Sequence, residues 1–298
     1  MTKDPAQQKL EALLAIRAAG ANAGISDLLR PYLSNRSNSV VAKAAAIAGE
    51  LLFKELEPDL ANAFDRLLRD GAKKDPQCTA KTAIAKALRD FETGNADLFF
   101  RGARHVQLEA VWGGRVDSAG HLRGTCAHAL VGCRAATIHD IYLVLVDLLA
   151  DDLSTVRAEA ALALGRFEHP QSELLLRLKI RVGDAEPAVM GACFDALLNA
   201  APESAVSFVA QFLDRDAAQL FEVASALGAS RLPQAFELLL NAIRAKHPQS
   251  DTLLRCLAPK RFQPDLRCRV EEAVKAHGDD ALQRTFAREF PTIMDHAR

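Results

Sequence analysis

The chain of 298 residues is 49% hydrophobic and 25% charged, with only 16 Gly and 12 Pro, which is the composition of an ordered globular protein. Its 37 basic and 38 acidic residues leave a net charge of −1, which argues against general attraction to nucleic acid or to an acidic membrane. No apolar run approaches the roughly 20 residues that span a bilayer, and the first residues lack the apolar core of a secretion signal. The six Cys form no C-x-x-C pair and fit a reducing compartment, so we expect a cytoplasmic protein without membrane insertion.

One pattern recurs six times after an expected N-terminal helix from Pro5 to Ala19. Each frame begins at an Asp or Asn and has an Ala-Leu pair or a similar pair at positions twelve and thirteen. A small or apolar residue also lies nine positions on, and another lies five positions on in every frame except the last, where Gln219 breaks the pattern. The frames start at Asn35, Asp75, Asp117, Asp151, Asp184 and Asp214, with spacings of 40, 42, 34, 33 and 30 residues. Repeats of this period predict stacked two-helix units, in which the frame marks the second helix and the Asp lies in the turn before it.

The first helix of each unit is expected to be bulkier, as in Ile138–Leu149, Ser172–Val182 and Ser204–Leu213. Beyond Asp214 the pattern decays, and the last residues are expected to form a helical cap over the final apolar face. We therefore expect one domain over residues 1–298. It would comprise an N-terminal helix in 5–24, about six to seven helix pairs in 25–260 and a C-terminal cap in 261–298. Gly49, Gly165 and Gly228 follow the Ala-Leu positions and are expected to end helices.

The best copy, at Asp151, reads D-x-x-x-x-V-R-x-x-A-x-x-A-L, with echoes at Asp117 (Leu122-Arg123) and at Asp75 (Ala80-Lys81). This motif resembles the HEAT repeat, and most of all the bacterial HEAT-like repeats that include relatives of phycobilin lyases. The resemblance implies an all-α fold, a right-handed α-solenoid of stacked HEAT-like helix pairs. It also implies that the second helices line a concave face, and that the role is that of a scaffold or adaptor.

A basic row runs through the second helices, with Lys81, Arg123 and Arg157 at the same place in successive units. One interpretation is a ladder of cations on the concave face for an acidic partner. The other is that each cation pairs with the turn Asp six residues before it or with that of the neighbouring unit. The Asp and the cation recur together, which favours the structural interpretation.

The least repeat-like stretch is 101–134, where cations outnumber acids and the only Trp of the chain precedes a Gly-Gly turn. A lone Trp beside arginines is typical of an anchor for a partner or a stacked base, although it could also fill a gap between units. We expect a partner-binding site here, extended by the basic row. The predicted partner-binding residues are Trp112, Arg101, Arg104, Arg115, Arg123, Arg157 and Lys81.

Two other clusters are weaker candidates. On a helix, Cys126 and Cys133 share one face while His121 and His128 share another, which is too far apart for one ion, so no metal site is predicted. The basic residues Lys260, Arg261, Arg267 and Arg269 are diluted by nearby acids, and we interpret them as a solvated surface. The chain contains no catalytic signature that we recognise, and no cofactor is predicted.

The leading hypothesis is a non-enzymatic scaffold that binds a protein partner on the concave face of the solenoid. An alternative that the resemblance implies is a phycobilin lyase- or isomerase-like protein, in which arginines pair with tetrapyrrole propionates and a Cys or an acid assists. A third is a HEAT-like enzyme that binds damaged DNA bases. The single Trp and the net charge of −1 argue against this third hypothesis.

Overall fold

A computed structural model describes residues 5–21, 24–214 and 217–291. These residues form an all-α fold with one β-hairpin. The helices are α1 Pro5–Ala19, α2 Ile25–Leu33, α3 Asn38–Glu50, α4 Glu57–Lys74, α5 Thr79–Asp90, α6 Ala96–Ala103, α7 Gly120–Gly132, α8 Ile138–Leu149, α9 Ser154–Arg166, α10 Pro170–Val182, α11 Pro187–Ala200, α12 Pro202–Ala210, α13 Ala217–Ala229, α14 Pro233–Arg244, α15 Ser250–Leu257, α16 Pro264–His277 and α17 Asp280–Glu289. Short 3₁₀ turns cover Lys54–Leu56, Pro76–Cys78 and Ala258–Lys260. In these described residues, no helix is long and apolar enough to cross a membrane.

The chain forms two compact units that divide between Ala163 and Leu164, within α9. In the first unit, α3 packs on α5 and α5 packs on α7, while α2 packs on α4 and α6 on α8. The second helices of successive pairs therefore form one layer and the first helices another. The frame positions are buried where the pattern predicts, as Val40, Ala44, Ile47 and Ala48 show in α3.

The second unit repeats this arrangement within itself. Helices α11, α13, α15 and α17 pack one on the next, and α12 packs on α14, which packs on α16. Val189, Cys193, Ala196 and Leu197 fill the frame positions of α11 and are all buried. Residues 22–23 and 292–298, which the sequence places in the N-terminal helix segment and in the C-terminal cap, lie outside the described residues.

The turns before four of the second helices share one hydrogen bond of the Asp or Asn side chain. The side-chain oxygen accepts a hydrogen bond from the backbone N–H two residues later, at 2.9 to 3.0 Å. This bond satisfies a donor that the helix start would otherwise leave without a partner. It recurs at Asn35, Asp117, Asp151 and Asp184.

The expectation that three glycines end helices is wrong. Gly49, Gly165 and Gly228 all lie inside helices. A methyl group at Gly165 would lie 2.6 Å from the Cα of Ala196, and one at Gly228 would lie 2.3 Å from the backbone oxygen of Cys256. These glycines let neighbouring second helices approach closely, which is a packing role and not a capping one.

Candidate functional site

Lys81 is completely buried at the start of the basic row. Its ammonium lies 3.4 Å from the Oδ2 of Asp75, which is also completely buried, and donates to the Oε1 of Gln107 at 2.9 Å. The carboxylate of Asp75 in turn accepts the backbone N–H groups of Ala80 and Lys81, each at 2.9 Å. The turn Asp and the cation six residues later therefore form a closed internal pair.

Arg123 makes the same kind of pair and extends it to the next unit. Its Nη1 lies 2.6 Å from the Oδ2 of Asp117, and its Nε lies 2.8 Å from the Oδ2 of Asp151. Nη1 also donates to the backbone oxygen of His105 at 2.9 Å. The guanidinium is buried and engaged on both sides, so it links two successive turns of the first unit.

The partner-binding prediction is therefore wrong for Lys81 and Arg123, and their pairing with turn aspartates is confirmed. Both side chains are buried, so neither charge faces solvent where a partner could reach it. Arg157 is half-buried, and its Nη1 donates to the backbone oxygens of Asp151 and Asp152 at 2.8 and 3.1 Å. The basic row is thus largely a structural ladder.

The stretch 101–134 contains a β-hairpin that the sequence analysis did not predict. Strand β1 (Leu108–Val111) pairs antiparallel with β2 (Gly114–Asp117), and the two-residue turn is Trp112-Gly113. Gly113 has a φ of +88°, which a glycine adopts without strain. Trp112 at the tip is fully exposed (103%), so the interpretation that it fills a gap between units is wrong.

A polar network holds the root of the hairpin against the helices. The backbone N–H of Gln107 donates to the Oδ1 of Asp117 at 3.0 Å, and its Nε2 donates to the backbone oxygen of Asp75 at 2.9 Å. The Oε1 of Glu109 accepts from the backbone N–H of Gln77 at 2.6 Å and from Ser118. The hydrogen bond from Ser118 has the largest effect on the pKa of Glu109, and together these hydrogen bonds lower it. The network includes Lys81 through Gln107, so the buried ladder also supports the hairpin.

The hairpin beyond this root is apolar and open to solvent. Four further apolar side chains on and beside the strands are exposed by 45 to 60%. Exposed apolar residues are ordinary when scattered, but several on one short hairpin together with a fully exposed Trp mark an interaction surface. We call this group, together with Trp112, the hairpin surface, and its other members are Val106, Leu108, Val111 and Val116.

The three other predicted arginines lie on or beside the hairpin and differ in exposure and in ion pairing. Arg101 forms ion pairs with Asp65 at 2.8 Å and with Asp97 at 2.7 Å. Arg104 is exposed and lies over the ring of Phe100, with 5.5 Å between its Cζ and the ring centroid. Arg115, on β2, is exposed. In the described part of the chain, neither Arg104 nor Arg115 forms an ion pair, so both cations are available to a partner.

The remaining clusters of cations, histidines and cysteines are tied into the fold. His128 hydrogen-bonds the Oε2 of Glu159 at 2.8 Å, and burial raises the pKa of the Cys126 thiol. The interpretation of Lys260, Arg261, Arg267 and Arg269 as a solvated surface is wrong in part, because only Arg269 is exposed and the other three are half-buried. Lys260 donates to the backbone oxygen of Ser230, and Arg267 donates to that of Phe290 at 3.2 Å.

An acid pair in the second unit was not predicted from the sequence. Asp195 and Glu222 occupy the positions in consecutive second helices that His128 and Glu159 occupy in the first unit. Burial raises the pKa of both carboxyl groups, and the charge of Asp195 raises that of Glu222 further. Aligning the frames residue by residue at these positions could have found the pair.

Comparisons with known proteins add little to this site. No family model matches the chain, and no curated protein matches it. Among solved structures, human deoxyhypusine hydroxylase in complex with glycerol is similar, with 18% sequence identity, 93% of this chain and 92% of that chain covered, and a TM-score of 0.33. A likeness at this level is too weak to support any statement about function. The bacterial, phycobilin-lyase-related type of repeat therefore stays a prediction.

Proposed function

We propose that the chain is a non-enzymatic scaffold of the HEAT-like α-solenoid type, and that it binds a protein partner through the hairpin surface. The observation that carries this proposal is the full exposure of Trp112 at the tip of a hairpin whose root is fixed by hydrogen bonds. The predicted site combined Trp112 and its neighbouring arginines with the basic row, whose first two cations are buried in internal pairs. The proposed site therefore keeps the hairpin, with Arg104 and Arg115 as its charged rim, and leaves out Lys81 and Arg123.

The energetics of a tryptophan anchor support this assignment. A Trp side chain buries roughly 200 Å² when it is covered, which is worth about 5 kcal/mol at about 25 cal/mol per Å². Costs of association reduce that gain, and interface anchors of this type typically lose about 2 kcal/mol or more on truncation to Ala. No other exposed apolar side chain of the described residues offers comparable area, since each of them is at most 76% exposed.

The fixed root makes the anchor effective. A partner that binds a rigid hairpin does not have to supply the free energy needed to order it. The links of Gln107 and Glu109 to Asp75, Gln77 and Ser118 hold both strands close to the helices. Trp112 is thus presented in a limited range of positions before any partner arrives.

The bilin-binding alternative gains no support from the residues it would need. It requires a reactive Cys near free arginines, but Cys78, Cys126, Cys133, Cys193 and Cys256 are all buried. The exposed Cys268 lies between Arg267, which donates to the backbone oxygen of Phe290, and Arg269, which pairs with Glu237, so neither arginine beside it is free. Burial raises the pKa of Cys78 to about 11 and that of Cys193 to about 12, which disfavours the nucleophilic thiolate. The DNA-lesion alternative needs a basic groove, and the buried pairs of Lys81 and Arg123 do not form one.

Site-specific photo-crosslinking tests the proposal. A photoreactive amino acid replaces Trp112 in one variant and Phe262, which is 64% exposed, in a matched control. The protein captured at position 112 is identified, purified and titrated against the unlabelled wild type, Trp112→Ala and Phe262→Ala. We expect Trp112→Ala to weaken binding by at least about 30-fold, equivalent to about 2 kcal/mol, while Phe262→Ala changes it by less than about twofold. Equal affinities for the two variants would contradict the proposal.

A further inference from the structure

We infer that β1 of the hairpin binds an extended, acidic segment of the partner by adding it as a third strand along the β1 edge. This inference rests on the proposed function and names the way in which the partner is held. An isolated two-stranded hairpin leaves two open edges, and open edges with free backbone groups are the usual template for strand addition.

The register shows which backbone groups of β1 face outward. The N–H of Ser118 donates to the backbone oxygen of Gln107 at 2.9 Å, so these two residues form a hydrogen-bonded pair of the ladder. Such pairs alternate with non-hydrogen-bonded ones in an antiparallel ladder. In the observed register, Leu108 and Ala110 fall in the non-hydrogen-bonded positions, and their N–H and C=O groups point away from β2. Among the described residues, these groups have no hydrogen-bond partner.

The β1 edge is the more open of the two. Leu108 and Ala110 are both exposed. The corresponding positions of β2 are Arg115 and Asp117, and Asp117 is half-buried and tied to the start of α7 and to Arg123. An added strand could therefore pair along the whole of β1 but only along the end of β2.

The side chains around β1 define the chemistry of the segment. Leu108 and Val111 are each 50% exposed, and they lie on opposite faces because successive strand residues alternate. A third strand beside them would place apolar side chains against both faces. Arg115 is paired with Ala110 across the ladder, and that small residue leaves room for the guanidinium near the β1 edge. Arg104 lies four residues before β1 and, like Arg115, has no acidic neighbour in ion-pair contact among the described residues. Acidic residues in the segment would complement both cations.

A lipid surface is the other ligand that an exposed Trp and arginines could suggest. Hydrocarbon does not accept an open strand edge, because backbone groups without a hydrogen-bond partner are strongly unfavourable there. The net charge of −1 also gives the chain no general attraction to anionic lipid. The free edge of β1 therefore favours a peptide strand over insertion into a bilayer.

Peptide binding to the full-length chain tests the inference. Peptides of about eight residues, long enough for an average strand with flanks, are selected from a randomised display library and titrated by the fluorescence of the single Trp. Each is then resynthesised with N-methyl groups on alternate amides, in both registers. Only every second amide of an added strand faces β1. One register should therefore lose at least about tenfold in affinity while the other changes by less than about threefold.

Two variants carry the same test to the protein. Ala110→Pro removes the outward N–H of β1 without removing a bond of the hairpin ladder, and it should weaken the selected peptides by roughly tenfold. Arg115→Pro removes the outward N–H of β2 together with the arginine side chain. It should bind the selected peptides no more weakly than Arg115→Ala, which removes the side chain alone. Unchanged far-UV circular dichroism and unchanged Trp emission of the free variants show that the fold persists.

Several results would overturn strand addition. They are equal binding by the two N-methylated registers, unchanged binding by Ala110→Pro, or a library that yields no peptide weakened by Trp112→Ala. A shift of Trp emission with phosphatidylcholine–phosphatidylserine vesicles, but not with any selected peptide, would assign the hairpin to a membrane. If the partner captured at position 112 still depends on Trp112 while Ala110→Pro binds it normally, the proposed function stands and strand addition is wrong.

Discussion

Replacing Asp75 by Asn should destabilise the first unit far more than a typical surface substitution. The change keeps the shape of the side chain but leaves the completely buried ammonium of Lys81 without an anionic partner, beside the neutral oxygens of Gln107 and Leu67 at 2.9 and 3.5 Å. A buried ion that loses its partner costs about 3 to 5 kcal/mol. The amide nitrogen would in addition face a backbone N–H that the carboxylate accepts at 2.9 Å in the native protein.

The reverse change should cost less. In Lys81→Met, the carboxylate of Asp75 keeps the backbone N–H groups of Ala80 and Lys81 and the side-chain amide of Asn38, the last at 3.2 Å. We therefore expect a loss of about 1 to 3 kcal/mol from the unsatisfied oxygen of Gln107 and the remaining carboxylate charge. The double variant should be more stable than Asp75→Asn alone, because it removes the stranded cation.

Urea unfolding followed by circular dichroism measures these free energies. Arg101→Gln is the control, because its ion pair with Asp65 is 41% exposed on both sides and should be worth less than about 1 kcal/mol. A loss below about 1 kcal/mol for Asp75→Asn would refute the reasoning, since it would place the pair in the energetic class of an exposed ion pair. The reasoning would also be refuted if the double variant lost as much unfolding free energy as the two single variants lose together.

Three further predictions concern other parts of the chain. Gly165→Ala should lower the free energy of urea unfolding of the second unit by about 1 to 3 kcal/mol, because the new methyl group would lie 2.6 Å from the backbone of α11. Gly132→Ala is the control. Its methyl group would meet no atom within 4 Å, so the free energy of unfolding should not fall. Asp195→Asn should raise the free energy of unfolding at about pH 8. Burial raises the pKa of Asp195 in the folded state, so ionisation of this carboxyl group opposes folding above its unfolded pKa, and the gain should vanish below about pH 4, where the group is protonated in both states. A thiol reagent at neutral pH should label one Cys of the native chain, the exposed Cys268, and all six after denaturation. Rapid labelling of a Cys268→Ser variant would contradict this last prediction.

The repeat pattern predicted the helical part of the fold because burial there follows a local period. The positions of the frame at Asp151 fall on one helical stripe, and Val156, Ala160, Ala163 and Leu164 are all buried. The helix Ile138–Leu149 has the bounds that the sequence suggests. The pairing of the turn Asp with the cation six residues on was also predictable for Lys81 and Arg123, since an Asp and a cation recur together at this spacing in the three frames that begin at Asp75, Asp117 and Asp151.

The hairpin could not be predicted in this way. Its strands of four residues are too short for a periodic signal, and most of their side chains are exposed on both faces. What fixes them is a network over long sequence separations, such as the bond from Gln107 to Asp75 across 32 residues. Only the Gly-Gly signal after Trp112 was local, and it correctly indicated a surface turn.

The glycines inside the helices show a similar limit. Gly165 follows an Ala-Leu pair near the end of α9, and a local interpretation takes it as a cap. Its role depends on the distance to α11, which no local pattern reports. The burial of Lys81 is likewise set by Gln107 and Leu67, which lie 26 and 14 residues away.

The most direct measurement of the central claim is the fluorescence of Trp112, the only Trp of the chain, in the free protein and in complex with the purified partner captured at that position. We predict a red-shifted emission that acrylamide quenches freely in the free protein. On binding, the emission should shift to the blue and the quenching should fall, because the partner covers the indole ring. A blue-shifted and protected Trp in the free protein, or an emission and a quenching constant that the bound partner leaves unchanged, would contradict the claim that the hairpin surface is the binding site.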